Sequence, residues 1–438
     1  MGKILMDFTP LTYSPDFRRI WLGGLFSTIG FAITSVAIAL EIYALTGSSG
    51  AVGLVGLVSV VPLIIGGLYG GVIADRYDRR KVALAATLGM WGVTLLIALH
   101  AWLNIHSVAV LYALIAAESL LQPINQSARG AIIPRLIKPR LLPAANTLMM
   151  SVGTLGMSAG PLIGGLLVAS VGYQLTYSIN VFAMTVGIWA LYRLPAMLPE
   201  QSGAARPSVL TSIREGLGFV RRNTVVGMTF VVDLLGMFFA QARPLIPALA
   251  TLTFGGGEAG AGLLLAAGPV GALIGVSFSG FLKDVRRQGR FLTLSYTGWG
   301  LGFIAFGLIA WAYEGRIPSA SLTENLLPLG LAFASLAFMG WADALGSVYR
   351  STIIQVATPD ALRGRLQGLF IITVAGGPNL GMAFVGGAAE LVGSPLAAVI
   401  GGTLVMVTIA LATLAAPALW RYVPEPIPET RQQPIVDS

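Results

Sequence analysis

The chain has 438 residues, of which 55% are hydrophobic and only 11% charged, with a formal net charge of +8 and no cysteine. So little polar surface excludes a water-soluble globule, and the missing cysteines exclude disulfides, thiolate metal sites and cysteine nucleophiles. A membrane-spanning helix needs roughly 20 apolar residues, so the chain reads as an all-α integral membrane protein with about a dozen spans.

Apolar runs between turn signals place spans 1 to 6 near 20–45, 51–74, 82–101, 107–130, 144–169 and 174–194. Spans 7 to 12 follow near 223–251, 259–282, 291–312, 326–349, 364–391 and 396–420. The first run is too long for a signal-peptide core and lacks a small-residue cleavage site, so it is kept as span 1. The expected organisation is a six-helix bundle over 1–194, a cytoplasmic connection over 195–222, a second six-helix bundle over 223–421 and a cytoplasmic tail over 422–438. Within the connection, Val209, Leu210, Ile213, Leu217 and Val220 fall on one helical face, which predicts an interfacial helix; a disordered linker is the alternative. Of the 27 Lys and Arg residues, all but Arg243 and Arg316 fall in the terminal segments, in the even-numbered connections or at the span ends that adjoin them. The positive-inside rule therefore puts both termini in the cytoplasm. Because these bases sit at helix ends in alternate loops and form no single patch, nucleic acid is not an expected partner.

Span 2 ends in GGLYGGVIADRYDRRK. Gly67 and Gly71 lie one turn apart and permit close helix approach, whereas Asp75, Arg76, Asp78, Arg79, Arg80 and Lys81 cannot enter hydrocarbon, so the lipid boundary falls near Ala74. The two halves repeat. Asp75 corresponds to Asp284 at an offset of 209, Gly160-Pro161 to Gly377-Pro378 at 217, and Arg129-Gly-Ala-Ile-Ile to Arg350-Ser-Thr-Ile-Ile at 221. Such duplication is a mark of carriers whose halves rock about a midplane site. In span 5, Gly156, Gly160 and Gly164 leave one face without side chains and Pro161 adds a kink; Gly377, Pro378 and Gly381 do the same in span 11. These stripes are expected to form a bendable seam between the halves, with ordinary membrane packing as the alternative.

Carboxylates inside apolar helices cost several kcal/mol unless paired, wetted or protonated, so each points to function. Glu41 lies in span 1, Glu118 in span 4, Asp233 in span 7 and Asp343 in span 10. Glu118, Gln122, Asn125 and Arg129 fall within an arc of about 60°, a polar stripe along span 4. Ser27, Thr34 and Glu41 share a face of span 1, as do Asp343, Ser347 and Arg350 in span 10. Burial favours the neutral carboxyl, so an acid with alternating access can take up a proton on one side and release it on the other. Glu118 and Asp233 are the expected proton carriers, a fixed partner being the alternative for each; Glu41 and Asp343 are assigned to gating or substrate contact. Arg243 is too far along span 7 to pair with Asp233 within the helix, so it either reaches across to another helix or attracts an anionic substrate. His100 and His106 flank the short turn between spans 3 and 4 and read as wet surface histidines, and Trp341 reads as core packing, with substrate contact as the alternative. No nucleotide loop, HExxH pair or nucleophile–base arrangement occurs, so no metal, cofactor or enzyme activity is expected.

The segment GGxxADRxxRR at Gly70 to Arg80 resembles the loop signature between the second and third helices of the major facilitator superfamily, and the resemblance spans nearly the whole chain. The run Gly153-x-x-Gly156-x-x-x-Gly160-Pro161-x-x-Gly164-Gly165 is similar to a motif of its drug:proton antiporters. SPDFRRIWLG, ARGAIIPRLI and TPDALRGRLQGLF resemble the enterobactin-exporter branch of bacterial secretion transporters. The resemblance implies two pseudo-symmetric six-helix bundles whose spans 1, 4, 7 and 10 line a central cavity. It also implies that Asp75 meets the start of span 11 near Arg363 to Gln367 while the inner gate is shut, and that Asp284 faces the start of span 5. The implied activity is export of an amphiphilic small molecule across the bacterial inner membrane, by a monomer driven by the proton gradient. A siderophore is the leading cargo, multidrug or macrolide efflux the alternative.

Overall fold

The computed structural model describes residues 7–197, 209–278, 280, 282, 285–316 and 322–423. A short turn of helix at Thr9–Tyr13 leads into α1 (Pro15–Thr46), followed by α2 (Ser49–Arg76), α3 (Arg79–Trp102) and α4 (Val108–Leu136). The helix Leu142–Tyr192 is broken at Gly172, where φ is 77°, a conformation that side chains disfavour and glycine adopts freely; its two parts are α5 (142–171) and α6 (173–192). After α7 (Val209–Arg222) come α8 (Thr224–Phe239), the single turn α9 (Ile246–Leu249) with a π-turn over Ala250–Phe254, and α10 (Gly257–Ser277). The chain ends in α11 (Gln288–Ala312), α12 (Leu326–Val356), α13 (Asp360–Val392) and α14 (Ser394–Ala415).

Among the described residues nine helices are long and apolar enough to cross a membrane, with α5 and α6 counted as one. Taking these two separately, and adding the broken α8–α9 and α13, accommodates the twelve expected spans. Span 7 departs from expectation by breaking after Phe239. Pro244 and Pro247 lack the N–H groups that an uninterrupted helix would direct back to Ala240 and Arg243, so the ladder cannot continue. Large apolar side chains face outward, with Phe182 75%, Leu414 77% and Leu391 86% exposed, as a lipid-facing surface requires and a water-facing one does not tolerate in number.

Two groups of helices result. In the first, α1 packs on the α5–α6 pair, α2 on α4, and α3 on α4 and α6; in the second, α10 packs on α12, α11 on α12 and α14, and α13 on α8 and α14. The groups meet mainly through α2 against α13 and α5 against α10. One end of the molecule, here the basic end, carries Arg76, Arg79, Arg80 and Arg135. At the opposite loop end the chain turns sharply through Gly47, Gly172 and Gly393, all at positive φ. Helix starts are fixed by side-chain caps: Ser48 accepts from Ala51 N at 2.9 Å, Asp78 from Arg80 N at 3.0 Å and Asn223 from Val226 N at 3.0 Å. The part of α7 from Arg214 to Arg222 meets α8 at 108°, so it runs crosswise to the bundle. Leu217 is exposed on it and Val220 packs beneath, while the side chains of Val209, Leu210 and Ile213 lie outside the described residues.

Candidate functional site

Three helices of the second group converge on Asp233. Its side chain on α8 is fully buried; Tyr296 of α11 donates to Oδ1 at 2.5 Å, and Arg350 of α12 reaches the same oxygen through Nη1. Arg350 Nη1 also donates to the Tyr296 hydroxyl at 3.2 Å, closing a triangle. A guanidinium beside a carboxylate cancels most of the field that either would project into an apolar core, and the phenol adds a second donor to the same oxygen, while Asp233 Oδ2 is buried without a hydrogen-bond partner among the described residues. Asp343 lies seven residues before Arg350 on the same face of α12, and its Oδ1 is buried without a hydrogen-bond partner among the described residues. Arg243 is on the break between α8 and α9 with its side chain exposed, and it is Arg350, from another helix, that pairs with Asp233. Tyr296 escaped the sequence reading because an apolar helix gives no sign of which tyrosine points at an acid.

In the first group Glu41 of α1 is buried with Tyr177 of α6 and His100 of α3. The Tyr177 hydroxyl donates to Glu41 Oε2 at 2.5 Å, and His100 Nδ1 stands 3.6 Å from Glu41 Oε1. Ser107 N donates to His100 Nε2 at 3.1 Å, which leaves Nδ1 as the protonated nitrogen of a neutral ring and turns its N–H toward the carboxylate. His100 is thus only 2% exposed, contrary to the wet histidine expected, because the turn after α3 folds back and Ile105 N donates to the His100 carbonyl. His106 is exposed, as expected.

Glu118 is buried on α4 with no hydrogen bond or ion pair among the described residues. The stripe predicted beside it divides. Gln122 stays half-buried near Glu118, but Asn125 donates to Thr87 Oγ1 at 2.5 Å and to the Ala83 carbonyl at 3.1 Å, so its amide ties α4 to α3 and does not continue a polar path. On α1, Thr34 accepts from Asn180 Nδ2 of α6 at 2.5 Å.

At the basic end Asp75 and Arg76 are exposed. Asp78 is buried, caps α3 and accepts from Met197 N at 3.1 Å; Arg79 Nη1 donates to the Ala131 carbonyl at 3.0 Å and Arg80 Nη2 to the Tyr192 carbonyl at 2.5 Å. The loop bases thereby fasten the α2–α3 turn to α4 and to the end of α6. Asp284 lies outside the described residues, as do the side chains of Arg363 and Gln367. In the half of α2 nearer the basic end, the glycines that bring a neighbour close are Gly66 and Gly70, against Leu120 and Ile124 of α4. Gly67 and Gly71, named from sequence, lie about 100° further round, where a Cβ meets no described atom within 4 Å.

The glycine stripes also differ from expectation. Gly156, Gly160 and Gly164 pack on Thr28, Ala32 and Ile33 of α1, and Gly377 and Gly381 on Leu234 and Met237 of α8, so both seams lie inside their own bundles. The sequence shows the smooth face but not which neighbour it meets. Pro161 and Pro378 sit within α5 and α13 beside these seams. Contact between the bundles falls to other glycines at the loop end. A Cβ on Gly165 of α5 would lie 2.6 Å from Gly262 Cα of α10, and Gly53 of α2 stands against Met382 and Gly386 of α13. Beside them Glu390 Oε1 of α13 accepts from Gly50 N and Ser48 Oγ, both at 2.8 Å, and so caps the start of α2 from the other bundle.

A family model described as transmembrane secretion effector matches residues 6–422. The enterobactin exporter EntS of Shigella boydii serotype 18 is 30% identical over 385 residues, which is 87% of each chain, and that of Escherichia coli O139:H28 matches to the same extent. Among solved structures, the nucleoside transporter NupG superimposes with a TM-score of 0.74 at 12% identity, covering 93% of this chain and 99% of its own. A D-xylose–proton symporter does so with a TM-score of 0.67 at 15% identity, covering 94% and 98%. Those two share the fold, whereas the match along the sequence assigns descent: the chain belongs to the transmembrane secretion effector family of major facilitator transporters.

Proposed function

We propose that the protein exports an amphiphilic small molecule, with a siderophore as cargo, in exchange for protons entering the cell. The single observation that carries the reading is the closure at the loop end, where Gly165 meets Gly262 and Glu390 caps α2 across the two bundles. Cargo can leave by that face only if these contacts part, which is the moving step of an alternating-access carrier. That the relatives are enterobactin exporters supports a catecholate cargo, and the positive-inside bias supports a cytoplasmic basic end in the bacterial inner membrane. Residues 1–194 and 223–421 act as the two moving bodies, joined through 195–222 with α7 lying at the interface, in a monomer that needs no cofactor.

Within this scheme Glu118 carries the proton. It is the buried acid of α4 with no described counter-charge, and a carboxyl whose access alternates can take up a proton on one side and release it on the other. Asp233, held by Arg350 and Tyr296, exchanges a proton only when that triangle loosens, which couples it to movement of α8 against α12. Glu41 and Asp343 border the pathway, Arg243 draws anionic cargo, and Asp75 with its counterpart Asp284 seals the basic end in the opposite state. The test is transport by reconstituted protein of a catecholate siderophore, with cationic drugs and macrolides in parallel, under an imposed pH gradient. Gradient-driven catecholate flux supports the proposal; flux of drugs alone replaces the cargo, and flux indifferent to the gradient rejects proton exchange.

A further inference from the structure

The internal repeat lets each buried group in one bundle be compared with its counterpart in the other. At the offsets fixed by the loop and helix motifs, Arg350 corresponds to Arg129, Asp233 to Gly24 and Tyr296 to Thr87. The geometry bears out this correspondence. A Cβ built on Gly24 of α1 would lie 3.8 Å from Arg129 Nη1, so the position facing the Arg129 guanidinium is the one that carries the carboxylate of Asp233 in the second bundle. Thr87 is turned to α4 through Asn125, as Tyr296 lies against Gly346, the counterpart of Asn125, on α12.

The chemistry is not repeated. Arg350 has an acid and a phenol, whereas Arg129 has a glycine, and no hydrogen bond or ion pair joins Arg129 to any side chain among the described residues; its Nε is buried without a partner. Ser27 Oγ is likewise buried without a partner, and a Cβ on Gly187 of α6 would lie 2.5 Å from Ser27 Oγ and 3.8 Å from Arg129 Nη2, so hydroxyl and guanidinium share one space. Met149 and Val152 close its sides near Gly24. A guanidinium among methyl groups is unfavourable unless an anion accompanies it. Residues that add a carboxylate from α1 are missing here, while donors suited to two oxygens are present.

We propose that Arg129 and Ser27, framed by Gly24 and Gly187, form a binding site for a carboxylate-type oxyanion, supplied either as a free ion or as the acidic group of the cargo. The guanidinium fork and the hydroxyl each donate to an anionic oxygen, reproducing with an external ligand the pairing that Asp233 provides internally to Arg350. The site lies within the first bundle, away from the loop-end closure, and its test reads binding without transport.

The experiment measures the thermal unfolding midpoint of the full-length purified protein against sodium acetate and, separately, 2,3-dihydroxybenzoate, in the wild type, Arg129→Gln, Arg129→Lys, Gly24→Asp and Gly24→Ala. Acetate near 100 mM is expected to raise the wild-type midpoint by about 2 °C or more through ligand linkage. Arg129→Gln removes the response, Arg129→Lys keeps it at higher concentration, and Gly24→Asp removes it by supplying the carboxylate from the chain. Gly24→Ala adds a methyl at 3.8–3.9 Å from its neighbours and folds normally, which controls for bulk. An Arg129-dependent response to dihydroxybenzoate but not acetate assigns the site to the cargo and upholds it. A wild type that responds to neither, or variants at Arg129 that respond as the wild type does, overturns it.

Discussion

Removing one member of the Asp233–Arg350 pair tests whether that triangle holds the second bundle together. In Asp233→Asn the Arg350 guanidinium keeps its place beside Tyr296 but loses the full negative charge that the buried Asp233 side chain bonds to it. Breaking a buried pair this way costs about 3–5 kcal/mol, because the remaining ion is uncompensated. At roughly 2–4 °C per kcal/mol for a unit of this size, the midpoint should fall by about 6–20 °C. The double variant Asp233→Asn with Arg350→Met removes both charges, and replacing a whole buried pair by neutral groups costs far less, so it should recover most of that loss. The assay is thermal unfolding in detergent at one scan rate, followed by intrinsic tryptophan fluorescence, with Trp299 stacked on Tyr296 as a nearby reporter. A double variant as unstable as the single, or an Asp233→Asn that melts within a degree of wild type, refutes the view that charge cancellation governs this cluster.

Glu118→Gln mimics the protonated acid permanently; it should leave the fold intact and abolish gradient-driven export, and undiminished flux in proteoliposomes would remove Glu118 from the proton path. Ser49 Oγ of α2 lies 3.4 Å from Ser394 Oγ of α14, and the chain has no cysteine, so Ser49→Cys with Ser394→Cys should form a disulfide across the bundles on oxidation. Export should stop on oxidation and return on reduction, whereas full transport by the cross-linked form would mean that the loop end need not open. Gly165→Leu inserts a side chain where Gly262 leaves no room and should cost about 1–3 kcal/mol of the closed arrangement, read as a lowered midpoint and as loss of the Ser49–Ser394 cross-link in a combined variant. Retention of both would show that α5 and α10 do not meet there.

Much of this architecture was legible in the chain because lipid imposes a simple code: apolar length gives spans and glycine spacing gives a packing face. The acids Glu41, Glu118, Asp233 and Asp343 announced themselves by being costly. What stayed hidden were the partners, since pairing depends on how helices rotate about their axes. Arg350 was visible on a face with Asp343, yet nothing along the sequence turned that face toward α8 and away from Arg243. His100 reads as a surface residue until the turn after α3 is seen to fold over it. The same limit explains the glycines, where a one-residue rotation selects Gly66 and Gly70 over Gly67 and Gly71, and Gly165 over its stripe neighbour Gly164.

That rotation has a mechanical consequence. A carrier that rocks needs bodies stiffer than the surface between them, because a load applied at one end must move the other end without being absorbed in bending. The stripes Gly156, Gly160, Gly164 and Gly377, Gly381 place α5 on α1 and α13 on α8 at backbone distance, and the loop bases Arg79 and Arg80 bind the start of α3 to α4 and α6 of its own bundle. The intervening surface at the loop end is of another kind. Gly165 and Gly262 touch without interlocking side chains, and Glu390 holds α2 through two hydrogen bonds at an exposed position where water can replace them. The bonds that must be exchanged on opening are thus those for which solvent is a ready substitute.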